Sequence, residues 1–204
     1  MSAKIEEIIN ELRSFYDFSN KQIISVGAGG GQLVDYAEKA RKVIAIDNDL
    51  AALKRLEQKL CSKEFMPKFE LHNADFYKSE FNADVLVFEF CLHEMPNPEQ
   101  AIRHALSMTN DIIIIDHYID SPWAHIVNES EKALISWQAA KGFNIGTQKI
   151  CVTEQYFANY RDLYEKVKVQ GEATISRIEQ YKNKTDIIIP MRYYLCKIVG
   201  NNDK

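Results

Sequence analysis

The sequence predicts an α/β fold: a seven-stranded, mostly parallel sheet with helices on both faces and an antiparallel β-hairpin at its C-terminal end. Three observations carry this. Short apolar runs at 23–26, 43–46, 69–72, 84–90 and 112–115 alternate with stretches of helical period, as in repeated strand–helix–strand units. The first run empties into glycines at 27, 29 and 31, the kind of turn that joins a buried strand to a ligand seat. Two long runs near the end, 167–181 and 186–199, are joined by only four residues, too few for a crossover helix, so they are expected to pair antiparallel.

Length and composition narrow the function. The 204 residues suit one domain over 1–204, and 46% apolar with 11% aromatic content fits a folded globular chain. A net charge of -4 argues against a nucleic-acid partner, whose phosphates call for a basic face, and favours a small substrate. Cys61, Cys91, Cys151 and Cys196 are far apart and form no Cys-x-x-Cys pair, so reduced thiols are expected, with no disulfide frame and no metal site. No signal sequence opens the chain and no apolar stretch reaches about eighteen residues, which points to a cytoplasmic protein with no membrane partner. Oligomeric state is not legible.

Residues 1–20 supply an N-terminal helix, with Ile5, Ile8, Ile9 and Leu12 at helical spacing and Glu6 and Glu7 in the first turn, where the helix dipole favours acids. The first strand follows and ends in Gly27-Ala28-Gly29-Gly30-Gly31, where glycine supplies torsions and close backbone approach that a side chain would deny. The spacing is G-x-G-x-G; the dinucleotide fingerprint needs a glycine at 32, which is Gln32. Leu33, Val34, Ala37 and Ala40 form the stripe of a first crossover helix, and the second strand closes on Asp47, sixteen residues past Gly31. A glycine turn with such a distal acid, able to hold two ribose hydroxyls, indicates nucleoside binding.

Leu50, Leu53, Leu56 and Leu60 mark a second helix, and Pro67 breaks the chain before a third strand that closes on Asp75 and Phe76. The fourth, 84–90, is continuous enough to be buried on both faces. It ends in Cys-Leu-His-Glu-Met-Pro, followed by a helix with Asn97 as N-cap, Pro98 in its first turn and Gln100 as capping-box partner. His93 and Glu94 therefore lie in a loop at a strand's carboxyl end, where open parallel sheets bind ligands. Four isoleucines form the fifth strand, which ends in Asp116, His117 and Tyr118. A helical lid insertion is expected over 121–150, carrying Trp123 and His125 over the strand ends with Gly142 and Gly146 as hinges. Thr153 is expected to cap a helix bearing Tyr156, Phe157, Tyr160 and Leu163, ahead of the hairpin, with Pro190 at a bulge or sheet edge.

At the glycine turn, Asp47, the Asp75-Phe76 pair and the 92–101 stretch, the chain resembles the class I, small-molecule methyltransferases that use S-adenosylmethionine, over roughly 23–199. The resemblance implies a Rossmann-like domain that passes a methyl group in line from S-adenosyl-L-methionine to a small-molecule acceptor. It implies cofactor contacts from Gly27, Ala28, Gly29, Gly31, Asp47, Asn48, Asp75, Phe76, Glu89 and Phe90, with the 75–76 pair on the adenine. Tyr16, Tyr118 and Trp123 are candidate acceptor contacts, and His93, Glu94, His117 and His125 are candidates for a base or for orienting the acceptor. His72 and His104 fall on a strand and a helix and are read as structural. One departure stands out: the family often has an acid two residues before the first glycine, and here that residue is Ser25. Two alternatives stay open. One is an inactive cofactor-binding or regulatory protein of the same fold. The other is a nicotinamide-dependent oxidoreductase using Tyr164 and Lys168, against which Gln32 and the terminal hairpin count.

Overall fold

The computed structural model describes residues 4–200. Helix α1 (Ile5–Phe15) precedes β1 (Gln22–Val26), β2 (Lys42–Asp47), α2 (Leu50–Ser62), β3 (Phe69–Asn73), β4 (Val85–Glu89), α3 (Pro98–Met108) and β5 (Asp111–His117). The chain continues through α4 (Pro122–Ile126), α5 (Ser130–Lys141), β6 (Ile145–Asn159), α6 (Tyr160–Val167), α7 (Glu172–Ile178) and β7 (Thr185–Val199). The seven strands form one sheet in the order β3-β2-β1-β4-β5-β7-β6. All neighbours from β3 to β5 pair in parallel, while β7 runs antiparallel to both β5 and β6.

Local chemistry sets the helix starts. Asp49 accepts from the N–H groups of Ala51 and Ala52 at the head of α2, and Asn97 accepts from that of Gln100 (3.0 Å) ahead of Pro98. Each satisfies donors that a helix's first turn leaves unpaired. The all-buried strand β4 and the four isoleucines of β5 lie between two apolar layers. One layer is built with α1, α2, α4, α6 and α7, the other with α3 and α5.

Four expectations are corrected. The first crossover helix is only a four-residue 3-10 turn, Val34–Ala37. The segment 167–181 is mostly helical, and the true partner of β7 is β6, with 160–184 bridging them. The helix expected to start at Thr153 is the second half of β6, and Asn159 caps α6 instead, accepting from the Asp162 N–H. The helical part of 121–150 ends at Lys141, and 145–150 is strand; Gly142 is the C-cap of α5 and Gly146 lies inside β6, so neither is placed as a hinge. The cause of the β6 error is visible in its burial: Thr153 and Gln155 face inward while Val152 and Tyr156 face out, so polarity does not follow the pleat. Pro190 sits opposite Glu154 on a stretch of β7 that has β6 alone for a neighbour, since β5 pairs only with Tyr193 to Val199.

Candidate active site

β1 delivers its chain into Gly27, at φ +70°, whose N–H donates to the Ile46 carbonyl (3.0 Å). A Cβ on Gly27 would lie 2.4 Å from the Cβ of Cys91, so the loop after β4 closes on this turn only because residue 27 has no side chain. Gly29 donates its N–H to Asp47 Oδ2 (2.8 Å), and Asp49 donates to Oδ1 (2.8 Å). The Asp47 carboxylate is thereby pinned at both oxygens by backbone donors, with lone pairs left for ligand hydroxyls. Gly31 has a packing role: a Cβ there would lie 2.6 Å from Leu56 Cδ1 on α2.

A cavity of about 540 Å³ opens beside this turn at the carboxyl ends of β1, β2 and β4. It gathers Gly27, Asp47, Asn48, Asp75, Phe76 and Phe90 from the expected cofactor set and Glu94 from the expected catalytic set. Tyr77, Met95 and Pro96 add apolar wall. Ala28, Gly29, Gly31 and Glu89 do not line it. Asp75 accepts from the Tyr77 N–H (3.1 Å), which fixes the carboxylate at the rim. A pinned acid for a ribose diol, a second acid, an apolar slot and a backbone that a Cβ would obstruct together fit S-adenosylmethionine.

Glu89 is enclosed beneath the glycine turn rather than in the cavity. Its Oε1 accepts from the Ser25 hydroxyl and from Tyr36 (2.9 Å). An acid thus lies beside Ser25, supplied from β4 and hydrogen-bonded to its hydroxyl. Burial pushes the Glu89 carboxyl up to about 7, against the lowering effect of the two hydroxyls and with a further push from Asp47. A carboxyl raised in the folded state contributes stability at low pH that is lost as pH climbs from its unfolded value through about 7. The shift corresponds to about 3 kcal/mol. Urea unfolding at pH 5 and pH 8 is expected to show Glu89→Gln losing about 2.5 kcal/mol less than the native chain over that interval; equal losses would refute this.

The ends of β4 and β5 hold a second constellation. His93 donates from Nδ1 to Asp116 Oδ1, and Asp116 also accepts from the N–H groups of His93 and His117 (both 2.8 Å) and from the Ser136 hydroxyl (3.0 Å). Burial alone would lower His93, but the Asp116 charge and hydrogen bond, with Glu94 and Glu129, override it and hold the imidazole up to about 10. His93 is therefore an imidazolium near neutral pH and cannot receive a proton. Glu94, hydrogen-bonded first by His93 and then by Lys132 (2.7 Å), is drawn down to about 2. His117 presents Nε2 to Glu129 Oε2 at 3.2 Å, and its Nδ1 is buried without a partner among the described residues.

A smaller cavity, about 160 Å³, lies on the other side of Phe90 and is lined by Ile5, Leu33, His117, Trp123, Gln155 and Met191 among others. Phe90 lines both cavities, at φ +48°, with its ring 5.2 Å from that of His117. Three expected residues lie elsewhere. Tyr16 hydrogen-bonds Asp111 (2.9 Å) at the opening of β5, the opposite end of the strand from His117. Tyr118 packs on Trp137 and under Arg192, lining neither cavity. His125 is exposed on α4 and lines neither cavity. Sequence reasoning missed Asp116, Glu129 and Ser136 as site residues; an acid ending a strand of isoleucines was the available signal for the first, and nothing local marked the other two.

A family model described as "Methyltransferase domain" matches residues 24–110. The ribosomal RNA small subunit methyltransferase A of Mycoplasmopsis pulmonis is 36% identical over 78 residues, 38% of this chain and 29% of that protein, so the chain spans under a third of this relative's length. Among solved structures, the YcgJ protein of Bacillus subtilis superposes with a TM-score of 0.69 at 10% identity, covering 96% of this chain and 98% of that one. The magnesium protoporphyrin IX methyltransferase of Synechocystis PCC 6803, determined with bound SAH, superposes with a TM-score of 0.57 at 10% identity, covering 94% and 80%.

Proposed function

We propose that this chain is a class I S-adenosylmethionine-dependent methyltransferase and that it methylates a small-molecule acceptor held in the 160 Å³ cavity behind Phe90, a reading supported by the methyltransferase-domain match over residues 24–110. The observation that carries the reading is the pair of cavities with one shared wall, the larger suited to the nucleoside and the smaller lined by His117 and Trp123. The smaller one lies below the roughly 300–1,000 Å³ of drug-sized pockets, which favours a compact acceptor.

The cofactor supplies an electrophilic methyl on a sulfonium, so the protein's work is orientation and exclusion of water. Asp47 holds the ribose hydroxyls with a carboxylate already immobilised by Gly29 and Asp49. Asp75 and Phe76 face the adenine end. Phe90 keeps the two chambers apart except where reacting atoms meet, and its buried surroundings of His117 and Tyr193 leave little room for water. His93, fixed as a cation by Asp116, orients the loop after β4. His117 is the candidate to accept a proton from the acceptor, because it lines the acceptor cavity and has Glu129 to steady the charge.

Calorimetry with S-adenosylmethionine tests the cofactor half. Asp47→Ala removes the anchored acid and is expected to weaken binding by about 10–100-fold, the worth of one or two charge-assisted hydrogen bonds. Binding of a nicotinamide dinucleotide instead would refute the reading. Ribosomal RNA is the second acceptor to test, because the curated relative methylates it by name. The net charge of -4 opposes that alternative, and salt-dependent RNA binding would support it.

A further inference from the structure

We infer that His93, His117 and Glu129 form a binding site for one divalent transition-metal ion of the zinc type, at the wall between the two cavities. The three side chains come from the loop after β4, the last residue of β5 and the residue before α5, and one donor atom from each lies within 4.8 Å of the others. Glu129 Oε2 is 3.2 Å from His117 Nε2 and 3.6 Å from His93 Nε2. Ligands about 2.0–2.1 Å from a shared tetrahedral ion stand about 3.3 Å apart, so these separations suit a common ion. Imidazole and carboxylate donors without thiolate are the set that zinc shares with cobalt and nickel.

Two further features separate this arrangement from an ordinary hydrogen-bonded histidine pair. His93 gives its other nitrogen to Asp116, which is wholly buried and is itself fixed by Ser136 and two backbone N–H groups. A carboxylate on the far nitrogen is how metal-binding histidines are oriented and made more basic. His117 is 6% exposed, and a single Glu129 oxygen faces the Nε2 atoms of both rings.

Three protein ligands leave a coordination position open, as in sites where a metal meets a substrate. His117 lines the smaller cavity, so that position belongs with an acceptor carrying an oxygen or nitrogen donor. Binding displaces the proton from His93 Nε2, replaces the proton-accepting role of His117 Nε2 in the metal-loaded protein, and adds no redox step.

Chelator-treated full-length protein should be titrated with Co²⁺ by absorbance and with Zn²⁺ by calorimetry, neither of which depends on methyl transfer. One ion per chain is expected, with the intense visible bands of four- or five-coordinate Co²⁺. Glu129→Gln and His117→Asn should each weaken binding at least about 100-fold, and Asp116→Asn about 10–100-fold, while exposed His125→Asn changes nothing. S-adenosylmethionine binding by each variant reports that it is folded. Spectra of aqueous Co²⁺ only, or affinity insensitive to Glu129→Gln, would overturn the site; if a variant fails to fold, the native protein's cobalt spectrum decides.

Discussion

Asp116→Ala is expected to destabilise the domain by about 3–5 kcal/mol, the cost of removing one partner from a buried charged pair. Four donors converge on this one carboxylate: the His93 ring, the N–H groups of His93 and His117, and the Ser136 hydroxyl. Alanine would leave all four unsatisfied in an interior with no exposure to water at residue 116. Against a total stability of about 5–15 kcal/mol this is a large fraction. Urea unfolding measures the loss, and a change under about 1 kcal/mol would contradict the network. Asp116→Asn separates charge from shape. In metal-free protein the His93 ring, held up to about 10 in the native chain, should lose its proton at a much lower pH once the anion is gone, visible by NMR titration of the imidazole. The sign follows. A histidine raised on folding stabilises fully below its unfolded value of about 6.5 and less as pH rises through about 10, so the native chain should weaken over that interval more than Asp116→Asn does.

Gly27→Ala should be the most damaging change in the glycine turn. The new Cβ meets Cys91 Cβ at 2.4 Å and Sγ at 2.6 Å, and the backbone holds φ +70°. Torsional cost of about 1–2 kcal/mol adds to overpacking of about 1–3 kcal/mol. Relief by moving the 91–96 loop would displace Cys91, Glu94 and Met95, which line the larger cavity, so S-adenosylmethionine affinity should fall by about 100-fold or more. Gly171→Ala is the control. It has φ +98° but nothing within 4 Å of its Cβ, so it carries the torsional cost without the clash and should leave cofactor affinity unchanged. Equal effects from the two would remove the argument that close approach at Gly27 shapes the site.

The parts of this molecule that follow a local rule were legible in the sequence. β1, β2, β4 and β5 announce themselves as apolar runs, and the cap at Asn97 sits where α3 begins. The glycine turn and Asp47 lie 18 residues apart at Gly29 yet meet, because parallel pairing of β1 with β2 brings any two strand ends together. What was not legible depended on three-dimensional neighbours. β6 hides its alternation because Gln155 faces a cavity, and α7 with its flanking turns looks strand-like locally although Thr174 and Ile178 are buried four residues apart on one helix. Glu129 sits just before α5 and 36 residues from His93, and only the packing of α5 against the loop after β4 makes them neighbours. The pairing of Ser25 with Glu89 is of the same kind: the chain alone shows a serine, and the adjacent strand brings an acid to it.

The sheet order has a consequence for how the protein comes into being. β7 fills the slot between β5 and β6, both of which precede it in the chain. During synthesis β5 and β6 must therefore wait with facing edges open until residues 185–199 have emerged, and then admit a strand that pairs on both sides at once. Such late, non-local closure is slow, and the waiting edges are the surfaces through which unfinished copies would adhere to one another. The exposed outer face of β6, bearing Ile150, Val152 and Tyr156, enlarges that exposure. Yield in the cell should thus depend less on the site's chemistry than on how soon the last strand arrives.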